Sequence, residues 1–303
     1  MTESVFVTIC IPFYNSERTL LDAVRSVFAQ THKNWELILI DDGSTDRSLE
    51  IARSIDDPRV TVYSDGNNYR LAARLNQAAG LAKYDFMARM DADDLISTVR
   101  LEKQLKLLLS DSEIDLVSTG LCSLSDDNEP VGIRCVSPEH SISPKNLLGG
   151  GSGIVHASLL GRTAWFKRNP YKESMLKSQD TNLWVRSYSK NDLRVAFISE
   201  PLYYYREDSN VTKNQLLTAY SMGRHTIIHD AKQVFSFKTK AKAIANNLAK
   251  TFAIKFFTHT ALKVARNRRN AMILSKQERD QIEAEILSIR NTYVPIAQAK
   301  GVI

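Results

Sequence analysis

The chain has 303 residues, of which 43% are hydrophobic and 24% charged, so it can bury a sizeable core and is not an intrinsically disordered protein. Its three cysteines form no CxxC pair, which excludes a disulfide framework and a zinc ribbon and is typical of a reduced, cytoplasmic protein. We also expect no signal peptide and no transmembrane helix, because no run of 18 uninterrupted apolar residues occurs.

The net charge of +6 is unevenly distributed along the chain. Residues 216–303 carry 15 Lys and Arg against 5 Asp and Glu, a net charge of +10, whereas residues 1–215 carry 25 against 29, a net charge of −4. A basic C-terminal third predicts contact with an anionic surface, either a membrane or a nucleic acid.

Strand-like and helix-like segments alternate through the first hundred residues. Predicted strands cover 5–11, 35–40, 60–63 and 86–90, and predicted helices cover 19–30, 46–54 and 70–82. Pro12 is expected to end the first strand, since proline cannot donate a hydrogen bond to a ladder. This alternation predicts the α/β fold class, with a mostly parallel sheet, right-handed crossovers and flanking helices.

The second part of the chain is less regular. A helix is expected over 99–109, a strand over 114–119, a helix over 178–188, strands over 193–198 and 202–205, and helices from 214 onward. The segment 123–153 reads as loop and contains a glycine run at 149–153. This run is either a mobile active-site loop or a plain connector, and it matches no Walker or dinucleotide-binding pattern.

Three carboxylates follow the fourth predicted strand. Asp91 and Asp93 are two residues apart, so their side chains share one side of an extended backbone, and Asp94 follows directly. Ligands bind beyond the carboxyl ends of strands in open α/β sheets, and two close carboxylates favour Mg²⁺ or Mn²⁺ together with a phosphate. The alternative is a solvated acidic turn. The loops at 12–15 and 41–44 are expected to lie at the same edge.

These residues resemble family 2 glycosyltransferases, the inverting nucleotide-sugar enzymes with a GT-A fold, and specifically members of the bacterial surface-polysaccharide type. The resemblance covers about residues 5–210 and is carried by VTICIPFYNSERTLLDAVRSVFAQTHKNWELILIDDGSTD, LNQAAGLAKYDFMARMDADDLISTVRLEKQ, HASLLGRTAWF, QDTNLWVR and LYYYRED. It implies a GT-A catalytic domain over residues 1–215, with a basic, amphipathic helical extension over 216–303.

The resemblance implies a donor site. Pro12, Tyr14 and Asn15 are expected to line the uracil and ribose, with the aromatic ring as a stacking face. Asp41 and Asp42 are expected to accept hydrogen bonds from the nucleoside, although turn chemistry or helix capping is an alternative for Asp42. The diphosphate contacts are expected to be Arg70 and Arg74, since guanidinium groups suit phosphates, and the alternative for either is a solvated surface residue.

The resemblance also implies a metal and a catalytic base. Asp93 is expected to bind Mn²⁺ or Mg²⁺, and Asp91 the ribose or a metal-bound water. Asp180 matches the catalytic base, although the family usually has two acids there and this chain has Gln179 before it.

Two further residues match family positions. His156 is expected near the acceptor or the diphosphate, unless it is a structural histidine, and Arg206 is expected to contact the diphosphate.

The implied function is non-processive transfer of a sugar, most simply from a UDP-sugar, to a hydroxyl of a glycan or lipid-linked acceptor. The chain has no QxxRW motif, which the polymerising family members carry. The alternatives are a catalytically inactive homologue or a nucleic-acid-binding protein using the basic tail. The acidic front half and the absence of a recognition module oppose nucleic acid as a partner.

Residues 239–265 predict a basic amphipathic helix, with Ile244, Leu248, Phe252 and Phe256 spaced four apart. Such a helix binds an anionic membrane, which would make the protein peripheral on the cytoplasmic face of the inner membrane. The alternative is packing on the catalytic domain or on a second subunit as a homo-oligomer.

Overall fold

A computed structural model describes residues 5–206, 212–256 and 273–297. The strands are β1 Val7–Phe13, β2 Trp35–Asp41, β3 Val60–Tyr63, β4 Phe86–Arg89, β5 Leu95–Ile96, β6 Leu116–Leu124, β7 Pro130–Arg134, β8 Leu160–Arg162 and β9 Val195–Arg206. The helices are α1 Leu20–Phe28, α2 Ser48–Arg53, α3 Arg70–Leu81, α4 Arg100–Ser110, α5 Pro144–Gly149, α6 Thr163–Arg168, α7 Gln179–Ser189, α8 Lys213–His229, α9 Phe237–Phe256 and α10 Lys276–Arg290. One 3₁₀ turn spans His156–Ser158.

The strands form one mixed sheet in the order β3-β2-β1-β4-β8-β6-β9-β5, with β7 paired to β6. The first four strands are parallel, as predicted, and the later part adds antiparallel pairs on both sides of β8. Phe13 pairs with Asp41, and Cys10 pairs with Arg89. The loops after β1, β2 and β4 therefore leave the sheet at the same edge, and the mixed sheet with flanking helices confirms the predicted α/β fold class.

The prediction that Pro12 ends the first strand is wrong, because β1 continues through Pro12 to Phe13 and both are buried. Cys10 accepts a hydrogen bond from Met90 on the β4 side, and Phe13 accepts one from Asp42 on the β2 side. Alternate residues face alternate neighbours, so Pro12 faces the β4 side, beyond the last paired residue Cys10. Its missing N–H therefore costs no ladder hydrogen bond, and Pro12 lies inside a buried strand and not in the open loop.

Two segments were misread from the sequence. The stretch predicted as loop contains β7 and α5, and the two strands predicted over 193–205 form the single strand β9. β9 pairs with β6 in two registers that shift at Gly120. A Cβ on Gly120 would lie 2.4 Å from the Ser199 carbonyl oxygen, so only glycine allows this close approach.

The C-terminal third does not behave as one extension. α10 buries Ile282, Ile286 and Ile289 against apolar residues of β5, β6, β7 and β9, so it shares a core with the catalytic region. α9 instead leaves Leu248 and Phe252 exposed, and the part of the predicted amphipathic helix beyond residue 256 lies outside the described residues. The domain boundary at 215 stays a prediction. Among the described helices, none is both long and apolar enough to cross a membrane.

Candidate active site

A cavity of about 450 Å³ opens at the carboxyl edge of the sheet. Three of the predicted site residues line it together: Asp91 after β4, His156 in the 3₁₀ turn, and Asp180 in the first turn of α7. Residues up to 89 positions apart in sequence are thus brought to one space by β4, the 3₁₀ turn and α7. Arg89 and Tyr205 line the same cavity.

Asp180 is half-buried, and Gln179 occupies the position before it. Within the described residues, no hydrogen bond or ion pair engages its carboxylate, in contrast to every other predicted carboxylate except Asp93. An unengaged carboxylate on a cavity wall is available to accept a proton from a bound hydroxyl.

His156 is held by its neighbours. Its Nε2 lies 2.7 Å from the Tyr171 hydroxyl, and its ring packs edge-on against Trp184 at 5.8 Å between centroids. Burial, and then the positive charge of Arg89, lower the pKa of His156 well below its usual value. The imidazole is therefore neutral at physiological pH, and it offers the cavity a hydrogen-bonding group without a charge.

Arg89 is a candidate site residue that the sequence analysis missed. It is 2% exposed, pairs with the Asp91 carboxylate, and lines the cavity. Its Nε has no hydrogen-bond partner among the described residues. The only signal in the sequence was a single charged residue interrupting an apolar strand, and an unpaired buried guanidinium N–H is costly unless a ligand satisfies it.

The acidic turn after β4 is built around Asp94 and Arg206. Asp94 is fully buried and accepts hydrogen bonds from the Tyr203 hydroxyl and the Arg206 N–H, each at 2.8 Å. The Arg206 guanidinium donates to the Asp93 carbonyl and to Asn128. The structure thus gives Arg206 partners in the protein in place of the expected diphosphate. Asp94 and Arg206 fix the turn that presents Asp93.

The Asp93 carboxylate of this turn forms no hydrogen bond or ion pair within the described residues. Loss of solvation in the crowded turn, and then the charge of Asp91, raise the pKa of Asp93 to about 6, although part of its side chain is exposed. Asp91 is already paired with Arg89, so its carboxylate is less available.

The described residues contain no group of three or more His, Cys, Asp or Glu gathered as a metal site. One unpaired, destabilised carboxylate nevertheless fits a Mg²⁺ or Mn²⁺ ion whose other ligands are substrate phosphates and water.

The loops after β1 and β2 are tied to each other. The Asn15 Oδ1 accepts a hydrogen bond from Thr45 N at 2.8 Å, and the Ser44 hydroxyl accepts one from Asn15 N at 3.1 Å. Asp41 is buried and accepts Ser44 N at 2.9 Å. Tyr14 is 49% exposed, which leaves a ring face free. Asn15 and Asp41 therefore hold the shape of the predicted nucleoside site, and Tyr14 offers it a stacking surface.

Asp42 and Arg74 form a structural pair. The Asp42 carboxylate accepts the Tyr69 and Arg70 N–H groups at the start of α3 and the Arg74 Nε at 2.9 Å. Arg74 is 2% exposed and also pairs with Asp65 at 2.8 Å. Asp42 therefore has the alternative role, that of capping a helix. The Arg74 guanidinium pairs with two carboxylates of the protein, whereas a contact with the diphosphate was expected. The Arg70 side chain is exposed.

The sequence matches the model of glycosyl transferase family 2 over residues 8–173. The putative glycosyltransferase EpsE of Bacillus subtilis is 32% identical over 231 residues, which cover 74% of this chain and 81% of that protein. The Escherichia coli UDP-Glc:α-D-GlcNAc-diphosphoundecaprenol β-1,3-glucosyltransferase WfgD is 28% identical over 191 residues, covering 63% of this chain and 73% of that protein.

Solved structures share the fold at low identity. S. aureus TarS in complex with UDP-GlcNAc matches with a TM-score of 0.60 at 18% identity, covering 83% of this chain and 73% of that chain. The mannosyltransferase PcManGT from Pyrobaculum calidifontis, in complex with GDP-Man and Mn²⁺, matches with a TM-score of 0.57 at 16% identity, covering 93% and 85%. These likenesses establish the predicted GT-A fold, and the family match and the EpsE identity show that the chain belongs to glycosyl transferase family 2.

Proposed function

We propose that this protein is an inverting, non-processive glycosyltransferase of surface-polysaccharide assembly. It moves one sugar from a nucleotide-sugar, with UDP as the favoured nucleotide, to a hydroxyl of a glycan or lipid-linked acceptor. The names of WfgD and of the TarS complex support a UDP-sugar donor, and that of WfgD supports a lipid-linked acceptor. The observation that carries the proposal is the single cavity lined by Asp180, His156, Arg89 and Asp91.

Asp180 acts as the general base. Its carboxylate takes the proton of the acceptor hydroxyl, and the acceptor oxygen forms a bond to the anomeric carbon as the nucleoside diphosphate leaves. Inversion follows from one displacement. Gln179 leaves Asp180 without a second acid beside it, and neutral His156 positions the acceptor by hydrogen bonding from the same cavity wall.

The donor is held by the loops at the sheet edge. Tyr14 stacks on the base, Asn15 and Asp41 keep the nucleoside site in shape, and the exposed Arg70 side chain contacts the diphosphate. Asp42 and Arg74 act as positioning residues that fix the start of α3. The Arg89–Asp91 pair orients Asp91 toward the ribose.

Asp93 would hold Mn²⁺ or Mg²⁺, and the ion would supply positive charge for the departing diphosphate. The Mn²⁺ of PcManGT supports a divalent ion. Arg206 and Asp94 hold the backbone on both sides of Asp93, so the carboxylate is presented in one direction.

Helix α9 binds an anionic membrane surface. Its apolar residues Leu248, Phe252 and Phe256 are each more than half exposed, and it carries five lysines and no acidic residue. A basic helix with an uncovered apolar stripe is typical of interfacial helices. This contact would place the active site beside a lipid-linked acceptor, peripheral on the cytoplasmic face of the membrane.

The first experiment screens UDP-, GDP- and dTDP-sugars for metal-dependent hydrolysis or transfer. We then expect Asp180→Asn to lower turnover by roughly 10²–10⁴-fold with donor binding retained. The matched control, Asp126→Asn in an exposed turn, should be unaffected. Near-normal turnover of Asp180→Asn would contradict the base assignment, and no turnover by the native chain with any donor would favour an inactive homologue.

A second experiment tests the metal ligand. Asp93→Ala should lose metal-dependent binding of UDP in calorimetry, because that carboxylate would hold the ion that accompanies the phosphates. Unchanged binding of UDP with Mn²⁺ would refute the role of Asp93.

A further inference from the structure

A second cavity, of about 400 Å³, lies between α5 and α9 and is basic. Three lysines line it, Lys145, Lys238 and Lys242, together with Asn146 and Asn246. No acidic residue lines it, and within the described residues none of the three lysines forms an ion pair. We call this cavity the basic hollow. Three unpaired cations around one space attract an anionic ligand.

A third cavity lies between the basic hollow and the catalytic cavity. A narrower cavity between α5, α7, α8 and α9 shares Ser178 with the catalytic cavity and Leu148 and Gly149 with the basic hollow. Ser178 is two residues before the proposed base Asp180, and Lys250 of α9 lines this connecting cavity. The three cavities therefore form a row of neighbours from the base to α9, which we call the glycine-lined path.

The glycine run forms part of this path. Gly149, Gly150 and Gly151 line its cavities at the end of α5. A Cβ built on Gly149 or Gly150 meets no atom within 4 Å, so a side chain there would project into open space. The glycines that the sequence left as either active-site loop or connector keep the path free of side chains.

The lysines of the hollow lie on a different face of α9 from the apolar residues that line a groove along its first half. Lys238, Lys242 and Asn246 line the basic hollow, whereas Phe237, Ile244 and Leu248 line a separate apolar groove. With 3.6 residues per turn these two sets are on different sides of the helix. A bilayer that covers Ile244 and Leu248 therefore leaves Lys238 and Lys242 facing the hollow.

We propose that the basic hollow binds the phosphate or diphosphate that links the acceptor sugar to its lipid, while the sugar reaches Asp180 along the glycine-lined path. This inference rests on the proposed function and names the acceptor site that it requires. An acceptor anchored at the membrane beside α9 has its anionic linker between the lipid and the sugar. Unpaired lysines at that place match its charge.

The test measures binding of farnesyl diphosphate in EDTA, without donor, so that it does not depend on turnover. We expect Lys238→Gln/Lys242→Gln to weaken binding about tenfold or more, since each lysine contributes a charge contact. The control, Lys33→Gln/Lys106→Gln, removes two exposed lysines elsewhere and should bind like the native chain. Equal binding by the hollow variant overturns the proposal.

Two further measurements distinguish the proposed acceptor site from the donor site and from binding of lipid headgroups. If, with Mn²⁺ in place of EDTA, Asp93→Ala abolishes farnesyl diphosphate binding, the ligand occupies the donor site and the proposal fails. Flotation with phosphatidylglycerol vesicles tests lipid headgroups: if the hollow variant loses vesicle binding but keeps farnesyl diphosphate, the lysines serve the membrane and the proposal also fails. Retained vesicle binding with weakened farnesyl diphosphate is the expected result.

The path is tested by Gly149→Leu. Gly149 has no positive φ and no close neighbour, so the fold tolerates a side chain that fills the path. We expect at least tenfold slower transfer to a synthetic farnesyl-diphosphate-linked N-acetylglucosamine, with donor hydrolysis unchanged. Gly80→Leu on α3, equally unobstructed, is the control. Equal transfer by both variants overturns the path, whereas failure of donor hydrolysis in the native chain would count against the proposed function alone.

Discussion

Helices α9 and α10 come from the same basic C-terminal third, yet they end in opposite environments. α10 buries Ile282, Ile286 and Ile289 in a core with the sheet, whereas α9 leaves Leu248 and Phe252 exposed. Both carry apolar residues at helical spacing. The difference teaches that an apolar stripe predicts burial only when the chain also provides a complementary surface.

The surface on which α10 packs offers polar partners as well as apolar side chains. Glu285 accepts hydrogen bonds from the Ser97 hydroxyl at 2.9 Å, from Thr98 N and its hydroxyl at 2.7 Å each, and from the Tyr204 hydroxyl. Arg290 pairs with Asp22 at 3.2 Å. These partners all belong to the first 206 residues. The polar contacts of α9, by comparison, include those from Arg224 of α8 to Asn247 and Thr251.

The largest expected effect is on the free energy of unfolding. Ile286→Ala should lower it by about 2–5 kcal/mol, because a buried aliphatic side chain leaves a cavity. The matched change on α9, Leu248→Ala, removes a side chain that is 51% exposed and should stay within about 0.5 kcal/mol. Urea unfolding of both variants checks this. Similar losses would show that α9 is also packed against protein.

A smaller loss of stability is expected when the hydrogen bonds of Glu285 are removed. Glu285→Ala leaves the donors of Ser97, Thr98 and Tyr204 without their acceptor, at a cost of about 1–3 kcal/mol. The control is Glu283→Ala, whose carboxylate is 47% exposed and 3.9 Å from Arg279, and which should change stability little. Equal thermal midpoints for the two variants would contradict the anchoring role of Glu285.

We expect substitutions in the apolar stripe of α9 to reduce membrane binding without changing the stability of the protein. Leu248→Gln/Phe252→Gln should reduce flotation with phosphatidylglycerol vesicles at least tenfold, since apolar burial contributes about 1.5–3 kcal/mol for each side chain. The melting temperature should be unchanged, and 0.5 M NaCl should weaken binding of the native chain by screening the lysines. The absence of vesicle binding by the native chain at low salt would remove the membrane proposal.

The smallest expected effect is on the pH dependence of stability, through the carboxylate at the start of α10. Hydrogen bonds from the Ser275 side chain and backbone lower the pKa of Glu278 in the capping box of α10, whereas α9 has no acidic residue in its first turn. A lowered folded-state pKa stabilises the protein above the ordinary value, and this stabilisation is lost as the pH falls through the lowered value. Between about pH 5 and 3, Glu278→Gln should therefore lose less stability than the native chain. Parallel curves would exclude this contribution.

Much of the site was predictable, because parallel strands carry their C-terminal loops to one edge. Asp91 and Asp180 were assigned from a family resemblance, and the structure brings them to one cavity. The partners of Asp42, Arg74 and Arg206 could not be predicted from the sequence. A charged residue at a motif position gives the same sequence signal whether it contacts a ligand or another residue of the protein. Arg89 was missed for the opposite reason, as it stands inside a strand that otherwise reads as core.

The sequence by itself determined the α/β order, the parallel first half of the sheet and the position of the acidic turn, because these follow from local periodicity and from the direction of strands. Only the tertiary structure decided that β1 passes through Pro12, that glycines 149–151 line cavities beside α9, and that α10 buries its isoleucines against the sheet while α9 leaves Leu248 and Phe252 exposed. Each of these depends on which distant surface lies opposite a residue, and that information is absent from local spacing.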